Sequence, residues 1–360
     1  MVCYLQMKIL GIETSCDETA ASVVEDGHIL LSNAVASSMY LHVKYGGVVP
    51  EIAARSHVEA ILPVIEQALS DAKCSWDDID GIAVTYGAGL GGSLLIGVMT
   101  ARTLAITHGK PLYGANHVMG HVFANFLTET NLGGYKMRRH QPAFPMLAII
   151  VSGGHSQLAL FRNYFDYTLL GQTRDDAIGE AFDKVAKILG LPYPGGPSVE
   201  REAAEGDPHT YKLPIAHVDG KYDFSFSGPK TAVLRLAQTE TGHDHTFPSF
   251  KLAGALSEAQ KANIAASFQH TAVKTIVDKA VLAYDEFQPA SVVLAGGVAA
   301  SPELRRQLSE ALPDAAIEYP DLKLCTDNGA MIATLGCFMA SEGQAPADPY
   351  SLTIAPNLSM

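Results

Sequence analysis

The chain has 360 residues, of which 48% are apolar, and its formal net charge is −13. This length and apolar content can bury a large core, and the length predicts two domains or lobes. The acidic balance argues against a free-standing nucleic-acid binder, because phosphate contacts need clustered lysine and arginine. Five scattered cysteines without a CxxC pair indicate neither a disulfide framework nor a zinc knot.

Two further features bear on where the protein works. The sequence contains no apolar run of the length that spans a membrane, so no membrane association is predicted. The first residues have neither the charged start nor the apolar stretch of a signal peptide. The cytoplasm is therefore the predicted location.

The first strand pattern, residues 8–12, runs into a small polar turn, residues 13–19, and a second strand-like segment, residues 20–24. In a strand, polar turn and strand, backbone N–H groups and hydroxyls can face a phosphate. Asp17 and Glu18 lie in this turn. They can be interpreted as exposed turn carboxylates, or as groups that hold a metal, a water molecule or a hydrogen-bond donor.

The next segments predict a helix over residues 52–69, a strand over 80–85 and a helix over 94–107. Arg55 and His57, on the first helix, could point into a cleft, but a surface position is the safer expectation for both. Between the strand and the second helix lies a glycine-rich segment, residues 86–93. A glycine loop that opens a helix presents backbone amides to an anion. The segment matches neither GxxxxGK[ST] nor GxGxxG, so it is neither a P-loop nor a dinucleotide fingerprint.

Two histidines, His117 and His121, begin an apolar, helix-compatible run that ends near Leu127. Residues four apart lie one above the other on a helix, so these imidazoles can bind one cation. The alternative is a pair of partly buried histidines satisfied by hydrogen bonds. The best candidate for a third ligand is Asp327, which precedes a predicted helix over residues 330–339. Aspartate at such a position is also a common helix N-cap, and the two roles can coexist.

The second half of the chain repeats the first pattern, with a strand over residues 146–151, a polar turn and a strand over 157–161. This internal duplication predicts two lobes that face each other across a cleft. A later buried strand, residues 291–294, ends in a glycine segment that permits close approach to a nucleoside. The basic segment over residues 136–140 is a candidate nucleic-acid contact or a solvated loop.

Seven segments together resemble the TsaD family, also called Gcp or YgjD and named Kae in archaea and eukaryotes. Its members are tRNA adenosine threonylcarbamoyltransferases. Residues 102–122 fit the family signature through Arg102, Pro111, Tyr113, His117, Gly120 and His121. The other matching segments are residues 11–19, 151–155, 179–184, 193–197, 226–230 and 325–330.

The resemblance implies an α/β fold of the duplicated actin-like, sugar-kinase-like (ASKHA) type, with two lobes and a central cleft. The expected divisions are an N-terminal lobe over 7–130, a connecting basic loop over 131–145 and a C-terminal lobe over 146–325. A last segment, 326–360, is expected to carry the metal-ligand turn and to pack back at the lobe interface. Residues 1–6 precede the usual family start, which predicts an extension or a misassigned start codon.

The resemblance also implies a set of site residues. His117, His121 and Asp327 are expected to hold one divalent metal ion per chain, Fe²⁺ in preference to Zn²⁺. An adenylate or ATP nucleotide is expected in the cleft. The positions that match the family's adenylate and threonylcarbamoyl pocket are Ile150, Val151, Ser152, Gly153, Gly154, Asp183, Gly196, Glu200 and Ser301. Two of them depart from the family pattern, which usually has Asp at Glu200 and Asn at Ser301.

The implied reaction moves a threonylcarbamoyl group from L-threonylcarbamoyladenylate to N6 of adenosine 37, in tRNAs that read ANN codons, and releases AMP. The metal would polarise an oxygen of the donor, and Asp17 or Glu18 could accept the amine proton. Expected partners are tRNA and proteins of the TsaB and TsaE types. The predicted tRNA contacts are Lys136, Arg138 and Arg139.

Two other functions are compatible with parts of the pattern. A non-catalytic, actin-like ATP-binding scaffold or clamp could share the fold, because a fold does not fix a function. A metallo-endopeptidase could use two helical histidines and a third ligand. However, HExxH proteases place a glutamate directly after the first histidine, and here Val118 follows His117. An intact His117, His121 and Asp327 set favours chemistry over the scaffold.

Overall fold

The computed structural model describes residues 6–360, which divide into two compact units. Unit 1 extends to Pro142 and resumes at Tyr319, and unit 2 is Ala143–Glu318. The predicted connecting loop over 131–145 is therefore shared between the units, and residues 319–325 belong to unit 1 instead of the second lobe. Of the predicted N-terminal extension, residues 1–5 lie outside the described residues.

The strands follow the alternation expected of a duplicated α/β chain. In chain order they are β1 Lys8–Glu13, β2 Glu18–Glu25, β3 Ile29–Leu30, β4 Ala34–Ser37, β5 Gly81–Gly87, β6 Leu112–Asn116, β7 Glu129–Thr130, β8 Met146–Val151, β9 Ser156–Phe161, β10 Tyr167–Gln172, β11 Ser291–Ala295 and β12 Ile317–Glu318.

The α-helices range from single turns to a helix of 30 residues. In chain order they are α1 Met39–His42, α2 Pro50–Asp71, α3 Gly91–His108, α4 His117–Phe123, α5 Ile178–Leu189, α6 Gly195–Ala203, α7 Ser227–Glu240, α8 Ser249–Leu252, α9 Glu258–Phe287, α10 Pro302–Ala311 and α11 Gly329–Ser341. Within residues 6–360, no helix combines the length and the apolarity needed to cross a membrane.

Each unit contains one sheet built on the same motif. In unit 1 the order is β6-β5-β1-β2-β3-β7, with β4 beside β2, and in unit 2 it is β10-β9-β8-β11-β12. The hairpin β1–β2 is antiparallel, and β1 also pairs in parallel with β5. The hairpin β8–β9 is antiparallel, and β8 pairs in parallel with β11. The predicted duplication is confirmed.

The sheet of unit 1 is covered on both faces, which explains why β1 and β2 are apolar along almost their whole length. Apolar residues of α2 and α3 form one core with residues of β1, β2 and β5. On β1, Gly11 touches α11 so closely that a Cβ would lie 2.3 Å from the Ala333 nitrogen. Helix α11 is thereby held against the strands that lead to the candidate site.

Candidate metal centre

The helix that carries both histidines begins directly where β6 ends. The side-chain oxygen of Asn116 accepts hydrogen bonds from the backbone N–H groups of Val118 at 2.8 Å and Met119 at 3.2 Å. This N-cap satisfies two donors at the start of α4, which have no partner within the helix. The His117 and His121 rings, both buried, then lie one turn apart with their centroids separated by 4.7 Å.

Asp327 lies in the turn before α11, and its interpretation as the N-cap of that helix is wrong. The cap is Asn328, whose side-chain oxygen accepts a hydrogen bond from the N–H of Met331 at 2.9 Å. The Asp327 carboxylate oxygen Oδ1 instead lies 3.3 Å from Nε2 of His121 and 3.6 Å from Nε2 of His117. Asn328 is thus the N-cap and Asp327 the candidate metal ligand, two roles that the sequence allowed Asp327 to combine.

A close approach of two helices brings these three side chains together. Helix α4 packs on α11, and a Cβ on Gly120 would lie 2.8 Å from Cδ1 of Ile332. A larger residue at position 120 would have to displace the end of the Ile332 side chain. Gly120 therefore permits the close packing of α4 on α11 that brings the histidines near the aspartate.

The arrangement fits a bound cation. The candidate ligand atoms of His117, His121 and Asp327 all lie within 4.8 Å of one another. Two ligands about 2.1 Å from one tetrahedral ion are about 3.4 Å apart, which matches the two distances to Asp327. Neither ring nitrogen of His121 forms a hydrogen bond with any residue in the range 6–360, although the ring is buried. A buried imidazole that forms no hydrogen bond is costly, and an ion shared with Asp327 would take up its lone pair.

A further residue, Glu13, stands behind this group and was missed by the sequence analysis. It ends β1, is fully buried, and lies 3.1 Å from Nδ1 of His117. Its carboxylate also accepts hydrogen bonds from the Ser15 N–H and from the Thr85 hydroxyl, each at 2.5 Å. Because a carboxylate accepts, Nδ1 of His117 carries the proton and Nε2 points its lone pair at the candidate metal position.

The charges in this region perturb several groups. Burial lowers the pKa of His117, but the negative charges of Asp327 and Glu13 outweigh it and raise that pKa to about 9. Burial raises the pKa of Glu18 to about 9, with help from the charges of Asp327 and Asp17. Without a cation, His117 is therefore charged and Glu18 neutral at pH 7. In this metal-free state Glu18 cannot accept a proton.

The turn that carries Asp17 and Glu18 is fixed by a buried histidine. The expectation that His57 lies at the surface is wrong, since its side chain is fully buried. Nε2 of His57 lies 2.9 Å from the Cys16 carbonyl oxygen, and Nδ1 lies 2.8 Å from the Thr19 hydroxyl. The carbonyl can only accept, so Nε2 donates to it and Nδ1 accepts from Thr19. Burial lowers the pKa of His57, in keeping with a neutral ring.

Two backbone amides of the glycine-rich loop are already used within unit 1. The N–H of Gly89 donates to the Pro356 carbonyl at 3.1 Å, and the N–H of Leu90 donates to the Ser15 carbonyl at 2.7 Å. These two amides bind the protein's own chain, not an anion. The C-terminal segment beside this loop is also held by Arg102, whose guanidinium donates to the carbonyls of Pro349 and Leu352 at 2.6 and 3.2 Å.

In unit 2, part of the predicted donor-binding set lies in the turn after β8. The Ser152 N–H donates to the His155 carbonyl at 2.8 Å, and the Ser152 hydroxyl accepts from the His155 N–H at 3.1 Å. Beside Gly153 and Gly154 there is open space, because a Cβ at either would meet no heavy atom within 4 Å. The side chains of Ile150 and Val151 are buried, so these two residues can offer only backbone groups.

The remaining donor-binding candidates lie on and beside α6. The Asp183 carboxylate accepts a hydrogen bond from the Gly195 N–H at 2.6 Å, and burial raises its pKa. Open space also lies beside Gly196. Burial raises the pKa of Glu200, and the nearby Ser301 hydroxyl opposes that rise. The two residues that depart from the family pattern are therefore neighbours.

A cavity of about 650 Å³ lies next to Glu200 in unit 2. Its wall combines two carboxylates, two arginines and small apolar residues. The lining residues are Glu200, Arg201, Ala203, Ala204, Pro208, His209, Ala266, Gln269, Pro302, Glu303 and Arg306.

The predicted tRNA-contact residues are not equivalent. Lys136 and Arg139 are exposed, and the Lys136 backbone is fixed by the Asp321 carboxylate at 2.8 Å. Arg138 is half-buried, with its guanidinium carbon 5.1 Å from the centre of the Tyr319 ring. Its planar group is already stacked, so Lys136 and Arg139 are the more accessible cations of this loop.

Fold and site define a two-unit α/β protein of the actin-like, sugar-kinase-like class, in which two buried histidines meet a half-buried aspartate. The Thermococcus HypF structure ("T.kodakarensis HypF") is similar, with a TM-score of 0.59 at 13% identity over 94% of this chain and 48% of that one. A second, full-length HypF structure gives a TM-score of 0.55 at 15% identity over 95% and 47%. At these identities the likeness concerns the fold alone.

Sequence comparison identifies the family. The family model described as "TsaD: tRNA N6-adenosine threonylcarbamoyltransferase" matches residues 29–334. A curated relative of that name from Desulfitobacterium hafniense is 47% identical over 359 residues, 98% of each chain. Another, from Symbiobacterium thermophilum, is 49% identical over 93% of this chain and 92% of its own. The chain belongs to the TsaD family, as its motifs predicted.

Proposed function

We infer that this protein transfers the threonylcarbamoyl group from L-threonylcarbamoyladenylate to N6 of adenosine 37, in tRNAs that read ANN codons, and releases AMP. Family membership over nearly the whole chain supports the reaction. The observation that carries the catalytic role is the convergence of the buried His117 and His121 with the half-buried Asp327, together with the absence of a hydrogen bond at either ring nitrogen of His121 among the described residues. A mere scaffold would gain nothing from keeping so costly an arrangement.

His117, His121 and Asp327 would hold one divalent ion, Fe²⁺ or Zn²⁺, because two imidazoles and a carboxylate suit both metals. Such an ion supplies Lewis-acid polarisation of a donor oxygen. Glu13 holds His117 in the tautomer that leaves Nε2 available. Asp17, in the turn that His57 supports, is the proposed base that takes the proton from the attacking N6 amine.

Unit 2 is proposed to bind the adenylate part of the donor. The open turn at Gly153 and Gly154 offers backbone N–H groups to a phosphate. Asp183, Gly196, Glu200 and Ser301 provide the polar contacts, and Ile150, Val151 and Ser152 supply backbone and hydroxyl groups. The cavity of about 650 Å³ beside Glu200 has the size of an ordinary small-molecule site.

The acidic chain is proposed to act with partner proteins of the TsaB and TsaE types. Helices α2 and α3 of unit 1 pack together and expose apolar side chains, among them Val58, Leu62, Leu95 and Met99. Grouped apolar exposure of this kind marks protein–protein surfaces. We assign this face to the TsaB-like partner. Because tRNA is the proposed substrate, the cytoplasm is the proposed site of action.

The experiment is a nucleoside digest of tRNA from cells depleted of this protein and complemented with wild type, Asp327→Ala or Asp314→Ala. Asp314 is exposed in unit 2 and serves as the control for loss of an aspartate. We expect wild type and Asp314→Ala, but not Asp327→Ala, to restore threonylcarbamoyladenosine. Restoration by Asp327→Ala would remove the metal role. Failure of wild type to restore it would refute the transferase and bring the scaffold forward.

A further inference from the structure

A second cavity in unit 2, of about 310 Å³, combines lysines with an exposed phenylalanine. We call it the lysine cleft. Its lining residues are Lys184, Lys187, Ile188, Lys230, Thr231, Leu234, Ser249 and Phe250. The family resemblance assigned no role to any of them. The chain has a net charge of −13, so three lysines around one cavity need an explanation. Either they bind a ligand or they form contacts within the protein.

Contacts within the protein account for only two of these lysines. Lys184 forms ion pairs with Asp176 at 2.7 Å and Glu180 at 2.8 Å, and Lys230 pairs with the same Asp176 at 2.5 Å. These contacts fix both ammonium groups in place. Lys187 is exposed and forms no ion pair with any residue that the structure describes. An unpaired cation beside two fixed ones leaves the cleft attractive to anions.

The rim of the cleft adds another cation and an aromatic ring. The Phe250 side chain is 73% exposed, and Nζ of Lys251 lies 5.8 Å from the centre of its ring. Two carboxylates, Asp176 and Glu180, pair with Lys184 and Lys230, whereas Lys187 and Lys251 form no ion pair with any described residue. The exposed Phe250 ring offers a flat face on which a base can stack. Basic side chains beside an exposed aromatic are typical of surfaces that bind single-stranded nucleic acid.

We propose that the lysine cleft binds the phosphate backbone of tRNA and stacks an unpaired base on Phe250. This inference rests on the proposed function, which makes tRNA the substrate. In unit 1 the Arg138 guanidinium lies over the Tyr319 ring, so the basic loop exposes fewer cations than the sequence predicted. The lysine cleft would supply further contacts to phosphate. An acidic protein segment would match the lysines but would leave the Phe250 ring without a flat partner.

The test is binding of a labelled, unmodified tRNA transcript, followed by fluorescence anisotropy at several salt concentrations. Lys187→Glu/Lys251→Glu is expected to weaken binding at least tenfold at about 100 mM salt. It should also reduce the slope of log K against log salt by about 1.4 to 1.8, since each of the two lost phosphate contacts contributes about 0.7 to 0.9. Phe250→Ala should weaken binding about tenfold, the effect of one lost stack, with the slope unchanged.

The matched control is Lys212→Glu/Lys274→Glu, which makes the same charge change at exposed lysines of unit 2 outside the cleft. Thermal melts confirm that each variant is folded. If the cleft variant binds tRNA within twofold of this control, the proposal is wrong. A parallel titration with AMP covers a free nucleotide as the ligand: loss of AMP binding with unchanged tRNA binding also overturns it.

Assays of threonylcarbamoyladenosine formation, with the donor and partner proteins present, separate this inference from the proposed function. If wild type modifies tRNA and the cleft variant binds normally, only the lysine cleft is refuted. If wild type neither binds nor modifies tRNA, the proposed function fails together with it.

Discussion

Replacement of Glu13 by glutamine tests whether a buried carboxylate tunes the metal site. Glutamine keeps the size of the side chain but removes the charge that holds the Nδ1 proton of His117. Loss of an outer-shell partner of this kind typically weakens metal binding by about 10- to 100-fold, or about 1.4 to 2.7 kcal/mol. A hydrogen bond to a charged group, worth about 1.5 to 3 kcal/mol, gives a similar figure.

The size of the effect should depend on pH, because a proton competes with the metal for Nε2 of His117. In wild type the His117 pKa is raised to about 9, and Glu13 is one of the charges that raise it. Removing Glu13 therefore weakens binding of the metal and of the competing proton together. At pH 7 the two losses partly cancel, whereas at pH 9, near the His117 pKa, the proton competes much less. The difference between wild type and Glu13→Gln should be larger at pH 9.

The assay is competition for Zn²⁺ with a chromophoric chelator at pH 7 and pH 9, which reads metal affinity without catalysis. The control is Glu25→Gln, a partly buried acid on β2 that pairs with Lys8 at 3.7 Å. It should leave the Zn²⁺ affinity unchanged at both pH values. Equal affinities for wild type and Glu13→Gln at pH 9 would refute the role given to Glu13.

Three other predictions follow from the geometry. As the pH rises from 6.5 to 9, the metal-free protein should lose about 3 kcal/mol of unfolding free energy from His117, because the raised pKa of this ring stabilises the fold only while the ring is protonated. Urea midpoints that are equal at pH 6 and pH 9 would contradict this. Because Glu200 and Ser301 are neighbours, Glu200→Asp and Ser301→Asn should each lower kcat/KM about three- to tenfold, and the double variant should recover part of the loss; strictly additive losses would argue against coupling. Leu62→Asp on α2 should abolish co-elution with a TsaB-like partner in size-exclusion chromatography. The control is Leu282→Asp, which changes another exposed leucine, in unit 2, and should leave co-elution intact. Retention of the complex by Leu62→Asp would place the interface elsewhere.

The local sequence pattern was sufficient to predict the strands and α4, the helix that carries His117 and His121. The strand predicted over residues 146–151 matches β8 at both ends, because an apolar run between polar turns has few other solutions. The i,i+4 spacing of His117 and His121 also has a local meaning, which the structure bears out by placing both on α4. In these segments the information lies within one turn or one strand.

Contacts between residues far apart in the chain could not be predicted from the local sequence pattern. Glu13 reads as the polar end of a strand, and its partner His117 is 104 residues away. His57 sits among surface-type residues on α2, yet it is buried against a turn 41 residues earlier. Asp327 and Asn328 are both good N-caps, so only the path of α11 decides between them. A lone polar residue in an apolar stretch was the available signal for Glu13.

The metal group and the proposed base are connected through a single strand end. β1 ends at Glu13, whose carboxylate bonds both His117 and the N–H of Ser15, and the turn with Asp17 and Glu18 follows directly. The Asp327 charge is one cause of the raised Glu18 pKa. A divalent ion beside Asp327 would offset that charge and lower the pKa of Glu18. Metal loading would then set how much negative charge this turn carries, so the ligand group and the acid-base turn work as one electrostatic unit.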